Sequence, residues 1–240
     1  MKIGYYQGKN KRNNVVSFLE EHAERQPDKV AFYFLPKEST HSGKFNHDTI
    51  TFGDFNDKVG RLAGGLSEIG IKKNDKVLIF IPISPELYTS IAALQRLGAI
   101  PVLLDSWSRQ EQLATIVQNS KPRGIIAPAA WLQAYEGHLN SFGIGIRISA
   151  DENSEDVKIF GLPNLFSEKS EKIAPVEQNH TALITYTTGS SGVPKGANRT
   201  HRFLSAQHYA LKRLFPYKQT DVDLPVFPVF ALNNIASGIT

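Results

Sequence analysis

Apolar positions along this chain repeat with two periods, and the clearest run begins at Thr51. Phe52, Phe55, Val59, Leu62, Ala63, Leu66 and Ile69 recur at intervals of three and four residues, which puts them on one face of a helix. Thr51 precedes the run and Asp54 stands three residues on, a variant of the capping box that satisfies free N–H groups in a first helical turn. Gly70 then supplies the left-handed residue that ends such a helix. Upstream, the pattern predicts a helix over 15–24, a strand over 30–35 and a polar loop over 37–48. Downstream, it alternates. A strand over 76–81 follows the Asn74-Asp75 turn, a helix runs from Pro85 to Leu97 with Gly98 closing it, and a strand follows over 100–104. Then come a helix capped by Ser108 and running to about 119, a strand over 124–127, a helix over 129–139 and a strand over 144–148. Residues 149–179 are charged and irregular; a strand over 183–187 leads into a loop rich in glycine and hydroxyl residues, and a helix follows over 201–214. Short strands alternating with longer helices predict βαβ units. The expected fold class is α/β, with a parallel-rich sheet covered by helices on both faces over roughly residues 70–215.

Composition narrows the function classes. The 240 residues are 41% apolar and 21% charged, ordinary globular usage that supports a sizeable core. The net charge of +4 is mild. Its basic residues are scattered without interleaved aromatics, so a nucleic-acid partner is not expected. The chain contains no cysteine, which removes disulfides, thiol catalysis and cysteine-held metals. The histidines show no H-E-x-x-H or other ligand spacing, so no metal-ligating set is expected among them. The polar, basic start does not read as a signal peptide. Apolar stretches such as 77–81 are far too short to cross a bilayer. The expectation is a soluble cytoplasmic protein with no membrane span.

The chemistry concentrates in the segment from Thr185 to Gly196. Gly189, Gly192 and Gly196 let the backbone approach a ligand closely. Thr187, Thr188, Ser190 and Ser191 add hydroxyl donors, backbone N–H groups in such a loop can form an anion-binding nest, and Lys195 adds a compact positive charge after the stiffening Pro194. Together they read as a phosphate cradle. The spacing matches neither the P-loop, which needs Gly-Lys-Ser/Thr, nor the G-x-G-x-x-G dinucleotide fingerprint. The bland alternative is a flexible surface turn, disfavoured by the apolar strand in front and the Pro-Lys end.

Tyr186 to Gly196 resembles the signature of the adenylate-forming superfamily, which contains acyl-CoA synthetases, luciferases and peptide-synthetase adenylation domains. Thr188 stands where Ser is usual and Ser191 where Thr is usual, and both exchanges keep the hydroxyl. Further likenesses are the helix start Thr51-Phe52-Gly53-Asp54-Phe55, the stretch 76–85 followed by Leu97-Gly98-Ala99-Ile100-Pro101-Val102, and the pair Thr200-His201. The segment Asp223-Leu224-Pro225-Val226-Phe227-Pro228-Val229-Phe230-Ala231-Leu232 resembles a subgroup of fatty-acyl ligases that includes the β-lactone synthetases of olefin biosynthesis.

The resemblance implies an ATP-dependent acid ligase that attacks the α-phosphorus of ATP with a substrate carboxylate, giving an acyl-adenylate and pyrophosphate. Thr187, Thr188, Gly189, Ser190, Ser191, Gly192 and Lys195 would hold the β- and γ-phosphates, with Mg²⁺ bridging phosphate oxygens. Coenzyme A or a carrier protein would accept the acyl group. The adenine-contacting aromatic, the ribose-binding Asp and the catalytic Lys of a small C-terminal domain would lie beyond Thr240. Residues 1–240 would then be the N-terminal part of the AMP-binding domain, inactive alone. Amino-acid-activating members usually carry an Asp at the position matched to Ala231, and many fatty-acyl-CoA synthetases a His. A buried ammonium without a counter-charge is costly, so a fatty or other non-amino acid is the expected substrate. Phe227, Val229, Phe230 and Leu232 read either as an acyl pocket or as ordinary core. Two other readings stand beside the ligase: a non-catalytic nucleotide-binding module on the same fold, and an amino-acid-activating adenylation domain.

Other residues carry weaker expectations. His201 reads as structural or as a support for the site rather than as a catalytic base, Asp105 and Ser106 as capping residues at a strand end where open sheets also place ligands, Arg109 as a solvated helix charge, and Trp107 and Trp131 as packing residues. Arg199 and Arg202 lie close to the loop in sequence, where either surface roles or attraction of ATP would suit them.

Overall fold

The structure is a computed structural model that describes residues 11–35, 47–104, 110–151, 159–187, 193–225 and 228–240. Its centre is a seven-stranded sheet built from β3 (Lys76–Ile79), β4 (Ile100–Leu103), β5 (Gly124–Ala127), β6 (Ile146–Ser149), β7 (Phe160–Gly161), β8 (Thr181–Thr187) and β9 (Lys195–Thr200). The spatial order is β7-β6-β5-β3-β4-β8-β9. Every pairing is parallel except that of the edge strand β9, which runs antiparallel to β8. The short strands read as continuous apolar runs because both faces are covered. Val77 and Ile79 pack with helices α2 (Phe52–Glu68) and α3 (Pro85–Arg96). Leu78 between them packs on the other side with α4 (Gln110–Ser120), α5 (Ala129–Ala134) and α6 (Glu136–Ser141). That strict alternation is the expected α/β sheet with helices on both faces.

Local signals worked where their chemistry is self-contained. Thr51 Oγ1 accepts the Asp54 N–H at 3.1 Å and donates to Asp54 Oδ2 at 2.9 Å, closing the cap of α2. Gly70 and Gly98 take positive φ angles of 95° and 70° after α2 and α3. Three expectations are corrected. The segment expected as one helix over 129–139 is two, α5 and α6, separated at Tyr135, whose φ of −105° leaves the helical region. A small antiparallel pair, β1 (Val30–Phe34) with β2 (Asp48–Thr51), stands apart from the main sheet, and β2 falls where no strand is expected, between the last residue of the loop over 37–48 and the helix cap Thr51. The loop expected between 187 and 201 is in part strand: β9 continues to Thr200 and α7 (His201–Leu214) starts immediately after it.

The irregular crossover from β7 to β8 lies against α2 along three glycines. Gly60, Gly64 and Gly65 leave no side chain between the helix and residues 165–170, so the two backbones touch. Ser167 N–H donates to Arg61 O at 3.1 Å and Glu171 N–H to Gly60 O at 2.9 Å. Arg96, buried at the end of α3, ties the same segment down by donating to Glu171 O and, at 3.0 Å, to Asn56 Oδ1.

At the other end of the chain, α8 (Pro228–Ser237) packs with α1 (Val16–Arg25) and α7. Two buried histidines on α7 face this region. His201 Nδ1 accepts the Val15 N–H at 3.1 Å, and its ring stacks on His180 with centroids 5.7 Å apart. His208 Nδ1 lies 3.3 Å from Asn233 Oδ1. Burial, with smaller contributions from His180 and Lys73, holds His201 down from 6.5 to about 3. Burial also lowers His208 from 6.5 to about 4, aided by Lys212 and His22 and opposed by the Asn233 hydrogen bond. The unfolded chain therefore binds more protons than the folded one between these values and 6.5. The stability they confer is complete above the unfolded pKa and is lost as pH falls through that window, each group contributing about 1.4 kcal/mol per pH unit. Urea unfolding should show a loss of about 4 kcal/mol between roughly pH 7 and pH 5. A flat profile over that range would mean that these imidazoles are not buried as described.

Candidate phosphate-binding site

β8 is fixed at the middle of the site by its neighbours. Val102 pairs with Ile184 and Leu103 with Thr185, so β4 and β8 finish at the same edge of the sheet. From β4 the chain returns past β3 to β5, whereas from β8 it continues outward to β9. Connections that leave neighbouring strand ends in opposite directions make the crevice where open α/β sheets bind ligands. Thr187 is the last residue of β8 and is exposed. Across the hairpin Lys195, the first residue of β9, pairs with Thr187, and its side chain is also exposed.

The pairing sorts the hairpin's side chains by face. Thr185 and Thr187 share one face with Lys195, Ala197 and Arg199, because residues two apart on a strand point the same way. The Arg199 guanidinium reaches along that face, donating to Thr185 Oγ1 and, at 3.4 Å, to Ala197 O. No ion pair with another described residue engages Lys195 or Arg199. Two cations and two hydroxyls on one exposed face can receive an anion. Tyr186 points to the opposite face, buried among Leu78, Val102 and Ile125.

A family model described as AMP-binding enzyme matches residues 19–237. The chain belongs to that family. A curated relative, the olefin β-lactone synthetase of Stenotrophomonas maltophilia, is 27% identical over 96% of this chain and 42% of its own length. The chain therefore spans less than half of that relative. Among solved structures, a long-chain-fatty-acid-CoA ligase from Archaeoglobus fulgidus superposes with a TM-score of 0.78 at 23% identity, over 98% of this chain and 48% of the other. The fatty acyl-adenylate ligase from L. pneumophila, solved with acyl adenylate and pyrophosphate, gives a TM-score of 0.73 at 20% identity, over 97% and 40%. At these identities the two structures establish a shared fold.

In this member of the AMP-binding enzyme family, Thr187 and Lys195 of the expected phosphate set are paired across the hairpin. Thr188, Gly189, Ser190, Ser191 and Gly192 lie outside the described residues, as do Asp105, Ser106, Trp107 and Arg109. His201 is fully buried and structural. Trp131 stacks on Tyr135 with centroids 4.3 Å apart and packs against the core. The residues read as an acyl pocket divide. Ala231, read for substrate class and not as pocket lining, is buried in one cluster with Phe52, Phe55 and Tyr88. Val229 and Leu232 line a small cavity of about 60 Å³ between α1, α7 and α8. Phe230 is 42% exposed, and Phe227 lies outside the described residues.

Proposed function

We propose that this chain is the N-terminal part of the adenylation domain of an ATP-dependent ligase that activates a carboxylic acid as an acyl-adenylate. The observation that carries the reading is the hairpin. It sets Thr187 and Lys195 opposite each other at the carboxyl edge of the sheet, and the glycine- and hydroxyl-rich signature runs between them in sequence. In this reading Thr187, Thr188, Gly189, Ser190, Ser191, Gly192 and Lys195 receive the β- and γ-phosphates of ATP. Hydroxyls, backbone N–H groups and one ammonium suit a polyphosphate, which needs many donors and positive charge. Mg²⁺ would neutralise phosphate charge when bound; such ions are held largely by phosphate oxygens and water, with few protein ligands. The protein's own task is then to position the phosphates and stabilise negative charge on the departing pyrophosphate.

The substrate we infer is a fatty or other non-amino acid. The residue type at position 231 supports it, since the methyl group of Ala231 offers no carboxylate for a substrate ammonium. The acceptor would be a thiol such as coenzyme A or that of a carrier protein. ATP–pyrophosphate exchange in the complete protein, run with straight-chain fatty acids and with amino acids, tests the assignment. Exchange should depend on a fatty acid and stay at background with amino acids. Exchange driven by an amino acid would overturn the substrate class, and background rates with every acid would overturn the ligase reading.

A further inference from the structure

Gly196 faces Tyr186 across the β8–β9 pair, one residue from the pairing of Thr187 with Lys195. A Cβ at position 196 would stand 3.0 Å from Tyr186 Cζ, 3.2 Å from Cε1 and 3.3 Å from the hydroxyl oxygen. The aromatic ring therefore occupies the place of the missing side chain. Gly196 does not take a positive φ, so it is not required by a left-handed backbone. Glycine weakens a strand interior and marks places where backbone must come close to something. Here that something is the ring, an arrangement known to compensate glycines near sheet edges.

The ring itself cannot easily give way. Tyr186 is 9% exposed and packs with Leu78, Val102, Ile125 and Leu113 on the α4 side of the sheet. β9, by contrast, is an exposed edge strand held to the sheet by β8 alone. The contact between the two is thus a fixed platform under a strand that could otherwise shift.

We propose that Tyr186 is a positioning residue whose ring, seated on Gly196, sets the distance between the two arms of the hairpin and so places Lys195 for polyphosphate. This rests on the phosphate reading given above. Burial raises the Tyr186 hydroxyl above its usual pKa, so the side chain stays neutral and acts through its shape. A displacement of a few tenths of an ångström at Gly196 passes directly to Lys195 along the strand, and charged contacts are sensitive to errors of that size.

The test is the affinity of the full chain for tripolyphosphate in the presence of Mg²⁺, measured by calorimetry beside thermal unfolding. Tyr186→Phe keeps the ring and should bind like the parent. Gly196→Ala and Tyr186→Leu should each weaken binding by about tenfold. The double variant should bind no worse than Tyr186→Leu, because the added methyl then meets no ring; non-additivity of this kind is the mark of a direct contact. Lys195→Ala serves as the reference. If Lys195→Ala abolishes binding while Gly196→Ala and Tyr186→Leu bind like the parent, the positioning role is wrong and the phosphate site stands. Additive losses in the double variant would also reject the contact. If the parent does not bind, or Lys195→Ala binds as the parent does, the phosphate reading fails and this inference with it.

Discussion

Replacing Gly65 by alanine is expected to destabilise the fold by about 3 kcal/mol or more, enough to leave much of the protein unfolded or aggregated. The usual effect has the opposite sign, because alanine in a helix interior is favoured over glycine by roughly 0.5–1 kcal/mol. At position 65 the new Cβ would lie 1.5 Å from the carbonyl oxygen of Leu165 and 2.5 Å from its carbonyl carbon. Both are backbone atoms of a segment already held by the Arg61–Ser167 and Gly60–Glu171 hydrogen bonds, and Leu165 is itself core. Relief would require lifting the crossover off α2. Two controls separate this cause from helix propensity. At Gly60 the nearest obstacle is the Ser170 hydroxyl, a side-chain atom that can rotate away, so alanine there should cost only about 1 kcal/mol. At Gly137 in α6 a Cβ meets nothing within 4 Å, so alanine should be neutral or stabilising by about 0.5 kcal/mol. Urea midpoints of the three variants read the order directly. A Gly65→Ala protein as stable as the Gly137→Ala protein would show that the crossover does not lie on α2.

Those glycines also show what a sequence displays and what it conceals. The apolar face of α2, its Thr51 cap and the glycine that ends it are local patterns, and each stands where the pattern put it. β5 runs over the four residues expected, because Gly124 and Pro128 bracket a continuous apolar run. The reason for Gly60, Gly64 and Gly65 is not local: they answer to an irregular segment a hundred residues away whose path depends on the finished sheet. β9 was hidden for a different reason. Lys195-Gly196-Ala197-Asn198 is exposed along an edge, so no apolar alternation marks it as strand. The break at Tyr135 has no proline to announce it, and Gly137 stands inside α6 rather than at the break. α8 carries two buried asparagines, Asn233 and Asn234, the second held by Asp223 Oδ2 at 2.8 Å, and these interrupt its apolar pattern. Of the candidate site, the chemical character was legible in residue types alone, glycine, hydroxyl and lysine. The hairpin that pairs Thr187 with Lys195, and the ring beneath Gly196, required strand pairing and could not be read from spacing.

Lys195→Ala should lower ATP–pyrophosphate exchange in the complete protein by about a hundredfold, close to 2.7 kcal/mol, while the melting temperature moves by no more than about 2 °C. The first half follows from charge. An ammonium donating to a phosphate oxygen makes a charge-assisted hydrogen bond, roughly twice as strong as a neutral one. Removing a donor aimed at charge that grows in the transition state costs about 3 kcal/mol in comparable sites. Negative charge accumulates on the pyrophosphate as it leaves, so the contact tightens during reaction and the loss should fall on turnover as well as on the KM for ATP. The second half follows from position. The Lys195 side chain is exposed, and it is the backbone of Lys195 that pairs with Thr187, so truncation leaves the β8–β9 ladder whole. Lys195→Arg keeps the charge on a longer, planar group that is not interchangeable with a compact ammonium, and it should recover only part of the rate. Unchanged exchange in the alanine variant would remove Lys195 from the phosphate site. A rise in KM for ATP with turnover unchanged would confine Lys195 to ground-state binding of the phosphates, whereas a melting temperature lowered by many degrees would assign the residue to the sheet edge.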